Sequence, residues 1–164
     1  MIVILHNIRS AHNVGSIFRT ADAAGIEKIY LCGITPTPID QFKRVNKEIF
    51  KTALGAQDYI SWEKIGKSVS VQATLSLIKR LKLEGYKILA VEQDKKSVPY
   101  TELNLSQKDT KKIVLVMGYE VLGLPPSIIK SADHVIEIPM YGRKESLNVG
   151  VAFGIAVYSL IDKF

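Results

Sequence analysis

A chain of 164 residues is long enough to bury a real core in one folding unit and too short for a catalytic domain plus a large separate substrate domain. Lysine and arginine outnumber aspartate and glutamate 22 to 16, and the resulting net charge of +6 favours a polyanionic partner such as nucleic acid. The lone cysteine, Cys32, excludes an internal disulfide; with no leader-like amino terminus and no apolar run near the roughly 18 residues of a membrane span, the expected setting is the cytoplasm, with no membrane partner.

In chain order, residues 2–5 read as a buried strand, and residues 13–24 as a helix that Asn13 caps and Gly25 stops. Residues 28–31 form a second strand and leave Cys32 as a small core residue. The segment 35–40, with its prolines, is a loop. If 39–54 is helical, Lys43, Lys47 and Lys51 share a face with Arg44 beside them; a phosphate-binding stripe and a plain solvated face both fit. Residues 70–84 place Val71, Leu75, Ile78 and Leu81 on one helical face before Gly85. Strands are expected at 87–91, 113–117 and 134–138, a polar surface connection at 95–109, and a short helix after Pro125-Pro126. The last helix runs from Ser146 or Leu147 to about Asp162. The βα alternation predicts an α/β fold: a mostly parallel sheet with helices on both faces, in a single domain over residues 1–164.

The terminal helix is apolar nearly all round, through Leu147, Val149, Val151, Phe153, Ile155, Val157, Leu160 and Ile161, so it needs cover on more than one side. Gly150 and Gly154 cut a notch that admits another backbone. A central place under the sheet and a homodimer interface both satisfy this pattern.

Three segments carry chemistry. In Asn13-Val-Gly-Ser-Ile-Phe-Arg-Thr20, Ser16, Arg19 and Thr20 are three to four residues apart and converge, while Asn13 lies off the Arg19 face. Gly118-Tyr-Glu-Val-Leu-Gly-Leu124 follows the strongest strand, where open α/β sheets bind ligands, and Glu120 there either braces the loop or touches a substrate. From Ile138 to Gly154 a strand ends in a polar loop with exposed backbone groups. Gly142 supplies conformational freedom, Ser146 is placed to cap the next helix, and Asn148 falls in its first turn. Arg143 and Lys144 in that loop are phosphate-contact candidates. No G-x-G-x-x-G follows a strand and no P-loop is present, which disfavours a nucleotide-dependent oxidoreductase. His6 reads as a strand-end residue and His12 as a loop residue, and no cluster has metal-ligand spacing.

Taken together and in this order, the segments resemble the three motifs of the SpoU/TrmH family of RNA ribose 2′-O-methyltransferases, in the SPOUT superfamily. Asn13, Gly15, Arg19 and Thr20 look like motif 1; Gly118, Glu120, Gly123 and Leu124 like motif 2; Ile138, Pro139, Met140, Gly142, Ser146, Leu147, Asn148 and Ala152 like motif 3. The chain departs at Gly150, where the family often has Ser or another small residue. The resemblance implies a carboxyl-terminal trefoil knot, which general topology would not propose. It also implies S-adenosyl-L-methionine as cofactor, held by Met117, Gly118, Ile138, Met140, Gly142, Ser146 and Leu147 without a metal, and a homodimer through the knot region. The substrate is then tRNA or rRNA. Arg19 would stabilise the reacting 2′-hydroxyl electrostatically or act as its base, with Asn13, Glu120, Ser146 and Asn148 orienting it and the ribose. RNA contacts fall to Arg19, Arg143, Lys144, Lys43, Arg44 and Lys47. The competing expectation is a protein that keeps the fold and binds RNA or assists assembly without catalysis.

Overall fold

The computed structural model describes residues 1–106, 112–119 and 122–161. Seven strands form one sheet: β1 (Ile2–His6), β2 (Lys28–Cys32), β3 (Ser61–Ile65), β4 (Lys87–Val91), β5 (Val98–Pro99), β6 (Ile113–Met117) and β7 (His134–Glu137), in the order β3-β2-β1-β6-β4-β7-β5. Every pairing is parallel, so all strands deliver their carboxyl ends, and the loops that follow, to one edge. The helices are α1 (Ala11–Ala23), α2 (Lys47–Ala53), α3 (Ala56–Tyr59), α4 (Gln72–Leu83), α5 (Pro126–Ser131) and α6 (Val149–Ile161).

The central strands are buried on both faces, which is why they read as unbroken apolar runs. Val3, Leu5, Leu115 and Met117 point to a core shared with Phe18 of α1, Ile49 of α2 and Phe153 of α6. Ile2, Ile4, Val114 and Val116 point to a second core under Leu77 and Leu81 of α4 and Ile128 of α5. Two strands escape sequence reading. β3 is an edge strand of mixed polarity, Ser-Trp-Glu-Lys-Ile, and β5 is a two-residue edge segment ending in Pro99, within the expected 95–109 connection. Residues 107–109 of that connection lie outside the described residues.

Three local expectations are corrected. First, α1 starts two residues before Asn13: Ser10 is the cap, its hydroxyl accepting from the Asn13 N–H at 3.2 Å, and His12 is helical. Second, 39–46 is not helical. The Asp40 carboxylate accepts from the backbone N–H of Phe42 at 2.8 Å and of Arg44 at 2.9 Å, folding a hairpin in which Ile39 bridges Val45. Lys43 sits in that turn with φ +62°, so the expected lysine stripe reduces to Lys47 and Lys51 on α2, which Asn46 caps. Third, α6 begins at Val149, because Asn148, not Ser146, accepts from the Gly150 N–H at 2.9 Å. Its described end is Ile161, and Asp162 lies outside the described residues.

The all-round apolarity of α6 is resolved on two sides within the chain. Phe153, Ala156, Val157 and Leu160 enter the core. A β-carbon on Gly150 would stand 3.6 Å from Ser16 Cβ, and one on Gly154 3.8 Å from Thr20, so the glycine notch receives α1. The third side remains open: Val151 is 52% and Tyr158 46% exposed.

Candidate active site

A cavity of about 420 Å³ opens at the carboxyl edge, over the adjacent ends of β6, β4 and β7. Met117, Gly118, Ile138, Met140, Ser146 and Leu147 line it, with Val149 and Ala152 from the start of α6. Its shape depends on a tight turn after β6. Gly123 donates its N–H to the Tyr119 carbonyl at 2.9 Å and adopts φ +66°, a conformation that favours glycine. A β-carbon on Gly118 would stand 2.8 Å from Gly123 C and Leu124 N, so the turn folds back directly against a residue that must lack a side chain.

The end of β4 contributes residues that the sequence did not single out. The Glu92 carboxylate accepts from the Leu124 N–H at 2.6 Å and from the Gln93 N–H at 3.0 Å, pinning the β6 loop. Gln93 donates its side-chain amide to the Glu145 carbonyl at 2.8 Å, tying the loop that precedes α6 to the same strand end. Both line the cavity. Their signal in the sequence is a polar pair directly after a buried strand, but only the strand order puts β4 between β6 and β7. Arg9, from the β1 loop, donates to the Tyr119 hydroxyl at 3.0 Å and so links that loop to the second segment.

The cavity wall mixes chemistries. Met117, Leu122, Ile138, Met140 and Leu147 are apolar, and Glu92, Glu137 and Glu145 also line it, the Glu92 carboxylate already engaged by backbone N–H groups and the Glu137 carboxylate by the Ser97 hydroxyl; no lysine or arginine is among the described lining residues. Such a wall suits a ligand with an apolar or aromatic part, and the volume lies within the usual 300–1,000 Å³ of small-molecule sites.

The other described sequence candidates do not line this cavity. Asn13 and Asn148 meet directly, the Asn148 amide donating to Asn13 Oδ1 at 3.0 Å, so the starts of α1 and α6 are tied together. Arg143 and Lys144 are exposed, next in the chain to Glu145. Gly142 does not line the cavity; a β-carbon there would meet nothing within 4 Å, and its φ is not in the left-handed region. Glu120 lies outside the described residues. Arg19 is exposed and lines a different depression, of about 560 Å³, with Ser16, Thr20, Ala23, Lys51, Thr52 and Tyr158. It follows Asn13 by six residues, about 9 Å along the helix. Lys43, Arg44 and Lys47 belong to the hairpin and the start of α2. Among the described residues no group of three His, Cys, Asp or Glu side chains converges on a metal-sized site.

Beside the cavity, at the ends of β1 and β2, a buried polar network holds the loop that leads into α1. Asn7, at φ +56°, donates to Val69 O at 3.0 Å and accepts from the Ile34 N–H at 3.1 Å. Its amide also faces His6 Nε2 at 3.1 Å, which fixes that nitrogen as an acceptor and leaves the proton on Nδ1, 2.8 Å from Thr74 Oγ1. Burial holds His6 neutral, its pKa lowered to about 4. Lys64 donates to the carbonyls of Gly33 at 2.6 Å and Thr35 at 2.5 Å, and burial lowers its pKa as well.

Comparison with known proteins gives consistent matches. The model of the family described as SpoU rRNA Methylase matches residues 1–158. A tRNA (guanosine(18)-2′-O)-methyltransferase of Aquifex aeolicus is 34% identical over 158 residues, which are 96% of this chain and 67% of that protein. The 23S rRNA (guanosine(2553)-2′-O)-methyltransferase RlmP of Bacillus subtilis is 30% identical, over 97% of this chain and 57% of its own length. An AdoMet-bound rRNA methyltransferase from Sinorhizobium meliloti superposes with a TM-score of 0.83 at 30% identity, covering 99% of this chain and 56% of that one. The chain thus spans roughly three fifths of the length of such relatives.

Proposed function

The chain belongs to the SpoU rRNA methylase family, and from that premise we propose that it transfers a methyl group from S-adenosyl-L-methionine to a ribose 2′-hydroxyl of tRNA or rRNA. The observation that carries the reading is the cavity over β6, β4 and β7, whose size, apolar wall and lining by residues of the second and third segments fit an adenosine-bearing cofactor. When bound there, that cofactor supplies an electrophilic methyl group. Gly118 and Gly123 let the loop after β6 pack closely, against its own backbone and against the Glu92 carboxylate, Glu92 and Gln93 fix the two loops, and Ser146 and Leu147 close the cavity toward α6. A carboxyl-terminal trefoil knot, formed by these loops, belongs to the same reading.

The RNA hydroxyl must lose its proton as the carbon–oxygen bond forms, and the negative charge that develops needs a donor in place. Arg19 is the residue for this role: its planar fork can hold a phosphate and a ribose oxygen together. In a single chain it opens on a depression apart from the cavity, which favours a site completed by a second copy. Tyr158 supports that arrangement, since it lines the Arg19 depression and also belongs to the uncovered apolar side of α6 with Val151. A homodimer docked on that side sets Arg19 of one copy beside the cavity of the other. Asn13 and Asn148 brace α1 against α6 for this purpose. A cytoplasmic setting, where RNA and cofactor are both at hand, suits the unpaired, buried thiol of Cys32.

Calorimetric titration of the protein with S-adenosyl-L-methionine in the presence of a chelator, followed by transfer of labelled methyl to total RNA, tests the reading. Saturable binding and label in RNA are the expected results; binding to neither would remove it.

A further inference from the structure

The hairpin between β2 and α2 does not line the cofactor cavity, yet hydrogen bonds hold it at several points. Beyond the two backbone bonds that Asp40 accepts, its carboxylate takes the Arg44 Nε–H at 2.7 Å, and these donors hold its pKa below the usual carboxylate range, the Arg44 backbone N–H first. The Asp40 N–H donates to Arg44 O at 3.0 Å, and the Asn46 N–H to Pro38 O at 2.8 Å. Lys67, from the loop after β3, braces the tip by donating to Gln41 at 3.0 Å. All this order supports a side chain with nothing to bury: Phe42 is 67% exposed, with the Arg44 guanidinium 5.0 Å from its ring centre. Ile39 and Val45 flank it, 40% and 50% exposed.

The Arg44 guanidinium lies against that ring, Lys43 follows it in the hairpin, Lys67 is bonded to the neighbouring Gln41 and Lys47 opens α2 just beyond, while the hairpin's own carboxylate is already engaged. A hydrogen-bonded hairpin that exposes an aromatic ring beside a guanidinium, with lysines on the same and neighbouring segments, matches a nucleic acid strand, whose bases stack and whose phosphates pair. The hairpin leaves the same carboxyl edge as the cavity loops, and β2 is two strands from β6, about 10 Å away.

We propose that the 38–46 hairpin is a base-stacking platform, in which Phe42 takes an unpaired base of the RNA substrate while Lys43, Arg44 and Lys67 contact its backbone. The inference rests on the RNA-methyltransferase reading and adds to it a preference: the substrate offers a splayed, single-stranded base near the reacting ribose, as loops do and continuous duplex does not. The hairpin is preformed, so little ordering is required on binding.

The test uses the whole protein and a labelled oligouridylate and oligoadenylate of about ten nucleotides, within the site sizes of single-strand-binding surfaces, alone and paired with complement. Anisotropy should show tighter binding of the single strands, and Phe42→Ala should weaken it by about 5- to 150-fold, the range for one lost stacking contact. Phe42→Trp should preserve it. Tyr59→Ala, which removes another aromatic that is 81% exposed at the opposite edge, before β3, should leave it unchanged. In methyl transfer to total RNA, Phe42→Ala should raise KM with little change in kcat, and S-adenosyl-L-methionine affinity should not move. Equal affinity of Phe42→Ala and wild type for single strands overturns the proposal, as does an equal loss in Tyr59→Ala or a preference for duplex. A changed sedimentation coefficient in Phe42→Ala with RNA affinity intact would assign the hairpin to a protein contact and overturn it too. If the wild type methylates RNA while Phe42→Ala keeps its KM, the hairpin assignment alone fails; if the wild type neither binds the cofactor nor methylates RNA, the underlying function fails.

Discussion

A guanidinium is a permanent cation near neutral pH, so Arg19 can steady a developing alkoxide and grip a phosphate but is poorly suited to shuttling a proton. Arg19→Ala should therefore lower turnover by roughly two to three orders of magnitude, the scale of one lost preorganised donor, with cofactor affinity nearly unchanged in calorimetry. Full turnover in that variant would assign Arg19 to the solvated face of α1. His6 leads to a different expectation. Its folded pKa of about 4 lies below the ordinary 6.5, so between these values the unfolded chain takes up a proton that the folded chain refuses. The stabilisation from a neutral His6 is complete above about pH 6.5 and is lost as pH falls toward 4, at no more than about 1.4 kcal/mol per pH unit. Urea midpoints at pH 7 and pH 5 should differ more for the wild type than for His6→Gln; an equal difference would show that His6 protonates freely. Neither the buried state of His6 nor the left-handed Asn7 beside it is legible in the sequence, because both arise from loops that only the sheet brings together.

Strands β4 and β6 were legible to the residue, since burial on both faces makes them continuous apolar runs. The edges β3 and β5 were not, since a half-covered strand need not be apolar. Capping was partly legible: the residue types were right, but Ser10 and Asn148 hold the positions expected of Asn13 and Ser146. The glycines divide in the same way. Gly118 packs against backbone and Gly142 faces open space, a distinction that depends on how the β6 loop folds back. Gly118→Ala should consequently strain that loop by about 1–3 kcal/mol and weaken S-adenosyl-L-methionine binding, whereas Gly142→Val should leave affinity close to wild type. Calorimetry on the two folded variants checks this, and a reversed order of effects would relocate the cofactor loop.

The proposed dimer unites the cavity of one copy with the Arg19 depression of another through the open side of α6. Val151→Asp should place an unpaired charge there, shifting sedimentation at micromolar concentration from dimer to monomer and reducing methyl transfer, with cofactor binding retained. A native protein that sediments as a monomer and is fully active would rule out the shared site. The cavity loops were recognisable as motifs in the sequence; their separation from Arg19 was not, because it depends on which ends of α1 and α6 meet. The chemistry itself has a direct readout, since alkaline cleavage of RNA requires a free 2′-hydroxyl. RNA methylated by the protein with methyl-labelled S-adenosyl-L-methionine should, after complete alkaline hydrolysis, carry its label in alkali-stable dinucleotides. Label recovered only in mononucleotides would place the methyl group on a base and contradict ribose 2′-O-methylation.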